Sequence, residues 1–207
     1  MQRHFQEKSL RLGKRERTRS ALIDGAVSMI AEKGLQNVNI KDITDVAGLA
    51  IGTFYNHFDD KEALLTATVF AVAEEIAAEN RQEMTEIEDA VERIVTGTTH
   101  FLVRACQHSE WAPVLIDGIE QLPELRQGVQ SHLRTDIELG IVQGKFDVTL
   151  SQFLLDQICA LIVASIRSQM TAGVDEQMTA MTCEHILRLL GLSPTEARKA
   201  VQDHANE

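Results

Sequence analysis

The most constraining stretch of this chain is a turn. In DVAGLAIG, Asp45 to Gly52, Gly48 closes one short helical pattern and a second opens near Ala50 or Ile51. The element before it is framed by VNIKDI, where Asn39 can cap a helix whose third residue is Asp42, with Val38 and Ile43 at the staple positions. That predicts a second helix over 40–47. A first helix over 17–33 precedes it, with Leu22, Ile23, Ala26, Val27 and Ile30 at three-to-four spacing and Gly34 at its end. The third must stop at FDDK, where Asp59 with Glu62 forms a possible capping box for a fourth helix and Asp60 is an alternative cap. Three helices whose last two meet at a tight glycine turn have the form of a helix-turn-helix, a pattern that a generic three-helix bundle shares.

From Lys61 onward the pattern is long helices with short connections: 64–79, 87–107, 112–122, one opened by Pro123 and running to about Val142, 150–170, 175–190, and a tail helix capped by Ser193 with Glu196 as its partner. The expected class is all-α, a three-helix head over residues 1–61 joined to a larger helical domain over 62–207. The helix over 150–170 is apolar around most of its circumference and must be covered accordingly, by its own domain or by a second subunit. With Met178, Met181, Ile186, Leu189 and Leu190 on its neighbour, it could form half of an isologous four-helix interface of a homodimer.

Charge divides the chain the same way. The net formal charge is −11, yet residues 1–61 sum to +2 and residues 62–207 to −13. Seven basic and two acidic side chains stand in the first nineteen residues, a basic arm on an acidic body. Only three prolines and 44% apolar residues fit a helical, folded chain. Cys106, Cys159 and Cys183 are odd in number and widely spaced, which argues for reduced thiols. The opening MQRHFQEKSLRLGKRERTRS lacks the apolar core of a signal peptide, and no uninterrupted apolar run approaches membrane-spanning length. The expectation is a cytoplasmic protein with no membrane partner.

The third helix carries the residues most suited to a nucleic-acid groove. Thr53 can donate or accept at a base edge or phosphate, and Asn56 can satisfy an adenine edge. Ala50 and Ile51 offer only apolar contact, such as with a thymine methyl. Gly52 would allow close backbone approach to DNA or to the preceding helix, or is a tolerated interior glycine. The hydroxyl of Tyr55, the sole tyrosine, could reach a phosphate while its ring fills space between helices; a purely core tyrosine is the competing reading. Lys61, in a first helical turn, sits against the helix dipole, a conflict that a bound phosphate would relieve and that Asp59 or Asp60 could also neutralise. Asn39 and Lys41 could touch the opposite DNA strand. Arg15, Arg17 and Arg19 could follow phosphates or enter the adjacent minor groove.

Residues 17–65, RTRSALIDGAVSMIAEKGLQNVNIKDITDVAGLAIGTFYNHFDDKEALL, strongly resemble the DNA-binding domain of the TetR family of transcriptional regulators. The fragments AEKG, IKDITDVAGL, GTFYNHF and DKEALL occur in that family's order and spacing. The resemblance implies a homodimer on a palindromic or near-palindromic operator, usually repressing until a small molecule enters the C-terminal domain. It implies DNA contacts by Thr53, Tyr55 and Lys61, and places Asn39 where relatives often carry a phosphate-touching threonine. Ile51 departs from the lysine or arginine common there.

An effector pocket would lie in the acidic body, with Phe101, Arg104, His108, Trp111, Ile119 and Leu122 as candidates around one helix junction. Arg104 is either turned outward or paired with something acidic, a protein carboxylate such as Glu110 or Asp156 or an anionic ligand. Trp111 and Phe101 also suit a core. Nine aromatic residues in the whole chain offer little for an aromatic cage, so an apolar, flexible effector fits better. Cys106 with His108 and Cys183 with His185 are two apart and do not share a helix face, so no metal is expected. With no serine elbow, phosphate loop or HExxH run, neither an enzyme nor a cofactor is expected. The competing class is an acidic helical scaffold that binds another protein.

Overall fold

The computed structural model describes residues 3–84, 86–108, 110–173 and 175–205. Among these, eleven α-helices and two short 3-10 turns occur and no strand, so the architecture is all-α. The chain divides into two compact units, Met1–Glu74 with Ser109–Leu122, and Glu75–His108 with Pro123–Glu207.

The first unit is built on α2, Lys14–Lys33, whose buried face includes Leu22, Ile23, Ala26, Val27 and Ile30. Against it pack α1 (His4–Lys8), α3 (Ile40–Ala47) and α7 (Trp111–Gln121), and α4 (Ile51–Phe54) packs on α3. His4–Lys8 is thus a helix seated on α2. The backbone N–H groups of Phe5 and Gln6 donate to the Asp24 carboxylate at 3.0 and 2.8 Å, and the Trp111 indole meets the His4 ring edge-on at 5.0 Å. Because Lys14–Glu16 continue the helical path, α2 begins a turn earlier than the apolar spacing alone predicts. Further along α2, the Ser28 hydroxyl donates to Glu110 at 3.0 Å, and past its end Leu35 N donates to Asp117 of α7 at 2.8 Å.

Helix α5, Lys61–Met84, begins in this unit and passes the division at Glu74. In the second unit α6 (Ala90–Gln107) is the hub, packed against α8 (Pro123–Val142), α9 (Gln152–Ala172), α10 (Glu176–Leu189) and α11 (Pro194–His204). Its apolar positions Ile94, Val95, Leu102 and Ala105 are buried. Arg93 ties the hub down, donating to Asp136 at 2.6 Å and to the carbonyls of Met84 and Ile87. Caps fall where composition places them: Asp89 on α6, Ser151 on α9, Asp175 on α10, and a full Ser193–Glu196 capping box on α11. The box holds the Glu196 carboxyl below its ordinary range through the Ser193 hydrogen bonds.

Helices α9 and α10 are fastened by a buried polar cluster. The Thr182 hydroxyl donates to Ser165 Oγ at 2.9 Å, and Gln169 Nε2 donates to Ser165 and to Thr179 Oγ1. A satisfied network of this kind fixes the register of a helix pair that apolar contact alone would let slide. By length and composition α9 could cross a membrane, but half of that span is buried within this unit as a core helix would be. Its other side, with α10, forms an open groove of about 810 Å³ lined by Gln157, Ala160, Leu161, His185, Leu189 and Leu192 among others.

Candidate nucleic-acid interface

The turn that dominates the sequence forms as its residues require. Gly48 takes a left-handed conformation, φ 69° and ψ 33°, which residues with a side chain rarely adopt, and Leu49 N donates to Thr44 O at 2.9 Å across it. Before it, Asn39 caps α3: the backbone N–H of Asp42 donates to Asn39 Oδ1 at 2.9 Å, and Asn39 Nδ2 donates to Asp42 at 2.8 Å.

After the turn, regular helix lasts only from Ile51 to Phe54. Asn56 N and His57 N then bond back to the carbonyls three residues earlier, which tightens the end of the element and makes it shorter than the sequence pattern suggests. Phe54 is fully buried and Phe58 nearly so, with ring centroids 6.0 Å apart. These two anchors leave the intervening surface outward. Ile51, Gly52, Tyr55 and Asn56 are exposed, as is Ala50 ahead of them, and Thr53 is half-buried. The Tyr55 ring rests edge-on against Phe54 at 5.1 Å while remaining 58% exposed, so it is supported without being part of the core. A Cβ placed on Gly52 meets no atom within 4 Å, which removes close approach to the preceding helix as the reason for this glycine.

Cations surround this surface in two states. Lys41 is held by Asp45 on its own helix, and that hydrogen bond raises its pKa. Lys61, the first residue of α5, is loosely associated, its Nζ 4.0 Å from Glu62 Oε1. The carboxylate that caps this helix is Asp60, not Asp59: the Ala63 N–H donates to Asp60 Oδ1 at 2.7 Å. Arg17 folds back to donate to Leu12 O at 3.1 Å, and Arg19 lays its guanidinium over the Phe58 ring at 5.1 Å. The Arg19 contact, which braces the back of α4 from α2, has no local signature, since it joins residues 39 apart.

The residues considered for an effector fall into different units. Phe101, Arg104 and His108 belong to α6 and its end, each half-buried, with Arg104 donating to Gln107 Oε1 at 3.3 Å. Trp111, Ile119 and Leu122 belong to the first unit, where Trp111 and Ile119 are each 3% exposed and Trp111 packs against His4 and Phe5.

The family model for bacterial regulatory proteins of the tetR family matches residues 22–68, and the model for a tetracyclin repressor-like C-terminal domain matches residues 89–203. The chain belongs to the TetR family of transcriptional regulators. This TetR-family chain is 28% identical over 152 residues to the HTH-type transcriptional repressor KstR2 of Rhodococcus jostii, covering 67% of the chain and 74% of the relative. It is 26% identical over 159 residues to the HTH-type transcriptional regulator CymR of Pseudomonas putida, covering 72% and 76%. Among solved structures, RolR in complex with resorcinol superposes with a TM-score of 0.63 and 27% identity over 91% of this chain and 94% of RolR. Membership makes the protein a ligand-responsive, DNA-binding regulator of transcription, and the matched tetR-family segment, residues 22–68, lies within the first unit.

Proposed function

We propose that this regulator is a repressor that binds a palindromic operator as a homodimer and leaves it when a small, largely apolar molecule enters the helical body. The functional division is a DNA-binding head over residues 1–61 and an effector and dimerisation domain over 62–207. The observation that carries the proposal is the outward surface of α4, where two buried phenylalanines leave Tyr55 and Asn56 exposed and Thr53 half-buried beside the loosely held Lys61.

In this reading Thr53 and Asn56 meet base edges, Ala50 and Ile51 make apolar contact, and Gly52 admits the backbone close to the duplex. Tyr55 and Lys61 hold phosphates, Lys61 from the first turn of α5. Asn39 and Lys41 lie toward the second strand, Lys41 exchanging Asp45 for phosphate. Arg17 supports the backbone from the start of α2. The dimer seam runs along α9 and α10, whose open groove of about 810 Å³ awaits the same two helices of a second copy. The effector enters the second unit beside Phe101, Arg104 and His108, while Trp111, Ile119 and Leu122 support α7 in the first unit.

The test is selection of duplexes from a random pool by the full-length chain. A two-fold-symmetric sequence should emerge, and Tyr55→Ala should bind it about tenfold or more weakly with unchanged helicity, in keeping with loss of a phosphate-anchoring side chain. Selection of no duplex, with stable capture of a protein partner instead, would favour the scaffold reading.

A further inference from the structure

We infer that the basic turn between α1 and α2, residues 8–15, is a second DNA-contacting element, one that sets Leu10 and Leu12 into the minor groove flanking the half-site read by α4. This rests on the reading of α4 as the element that enters the major groove, and extends it to a part of the head with no helix-turn-helix role.

Leu10 is 64% exposed and Leu12 53%, whereas Leu22 and Leu35 of the same unit are buried. Lys8, Arg11, Lys14 and Arg15 flank them and are exposed as well. The turn is built, not loose. Ser9 is 2% exposed and its hydroxyl donates to Gln6 O at 2.8 Å, Leu12 N donates to Ser9 O at 2.8 Å, and Arg17 holds the Leu12 carbonyl. Asp24 fixes the preceding helix through Phe5 N and Gln6 N. The two leucines are therefore presented by a framework whose ordering cost has already been met in the free protein.

Position favours the same ligand that α4 reads. Arg19 covers Phe58, Phe58 packs on Phe54, and Phe54 supports Tyr55, so the first turns of α2 adjoin the end of the reading element. Arg15 lies one helical turn before Arg19 on the same face of α2. The turn leads straight into this end of α2. Seven basic and two acidic side chains in the first nineteen residues, in a chain of net charge −11, select a polyanion. Aliphatic side chains flanked by cations are what a minor groove accepts, since its walls are phosphate and its floor takes apolar wedges. A membrane surface would call for a sustained apolar stripe along a helix, and Leu10 and Leu12 stand two apart around a 3-10 turn of three residues.

The experiment uses the intact chain and a fluorescently labelled duplex that the wild type selects from a random pool. Leu10→Ser with Leu12→Ser should bind roughly tenfold more weakly, the scale of losing burial of two half-exposed leucines, with unchanged circular dichroism. Its hydroxyl-radical footprint should lose minor-groove protection at the flanks and keep the central protection. In a separate variant, Arg11→Ala with Lys14→Ala should reduce the slope of log K against log salt by about two. Equal affinity, equal flank protection and an unchanged salt slope in these variants would overturn the inference while leaving the α4 reading intact. Failure of the wild type to select any duplex would overturn both. Binding of the wild type to phosphatidylglycerol vesicles, lost in the leucine variant while DNA affinity holds, would assign the turn to a membrane and likewise overturn it.

Discussion

Asp24 sits in the middle of α2 at 2% exposure and accepts two backbone N–H groups from the start of α1. Burial pushes its pKa above the ordinary 3.8 and Glu110 pushes the same way, while the hydrogen bonds from Gln6 and Phe5 and the charge of His4 pull it down. The folded chain therefore holds this proton more tightly than the unfolded chain does. The resulting contribution to stability is complete below 3.8 and is lost as pH rises through the higher folded value. Urea midpoints for the wild type and Asp24→Asn, followed upward from acid pH, should show the wild type losing ground to the variant as pH climbs through that window. A difference that does not change with pH would show that this carboxyl does not titrate abnormally. The neighbourhood of Asp24 also shows what residue-by-residue reading can reach. Asn39, Asp42 and Gly48 were legible because a cap and a left-handed turn are settled within a few residues of sequence, whereas Asp24 meets Phe5 and Gln6 from 19 and 18 residues away.

Among the elements, the close meeting of α8 with the turn after it invites the clearest stability measurement. A Cβ on Gly140 would come within 2.0 Å of the Phe146 ring, which is buried at 5% exposure. Gly140→Ala should therefore destabilise the protein by about 1–3 kcal/mol, the usual cost of overpacking, as read by thermal or urea unfolding. Adding Phe146→Leu should return part of that loss, and no recovery in the double variant would mean that the clash is not with this ring. Helices α7 to α10 lie within two residues of the bounds their apolar periodicity gives and Ser193 caps α11 as expected, whereas α2, α5 and α6 differ at one end or both by three to five residues. Helix α1 was not legible: its five residues show no period of their own, and it exists because Asp24 and Trp111 receive it. For α4 the reverse holds, since a helical pattern through Asn56 gives way to tighter turns once Phe54 and Phe58 are both drawn into the core.

At the scale of the whole molecule, the apolar circumference of α9 called for cover by its own domain or by a second subunit, and the groove it shares with α10 is where the proposed second copy belongs. Leu161→Glu with Leu189→Glu should convert a dimer into a monomer by sedimentation velocity. It should also weaken binding to a two-half-site duplex by roughly 100-fold through lost avidity, while leaving binding to a single half-site unchanged. A variant that still sediments as a dimer would place the seam elsewhere. The caps and turn that frame the proposed DNA face were legible because they are contiguous in sequence, while the effector candidates were drawn from residues that seemed one junction in sequence and belong to two units, with Trp111 and Ile119 buried in the first. That arrangement bears on any attempt to graft this head onto a foreign sensor. A fragment cut after Glu74 would leave behind Trp111, Glu110 and Asp117, uncovering the rings of His4 and Phe5 and stranding Ser28 Oγ and Leu35 N without their acceptors. A working chimera has to splice in residues 109–122 along with the opening segment, so the portable module is discontinuous in the gene.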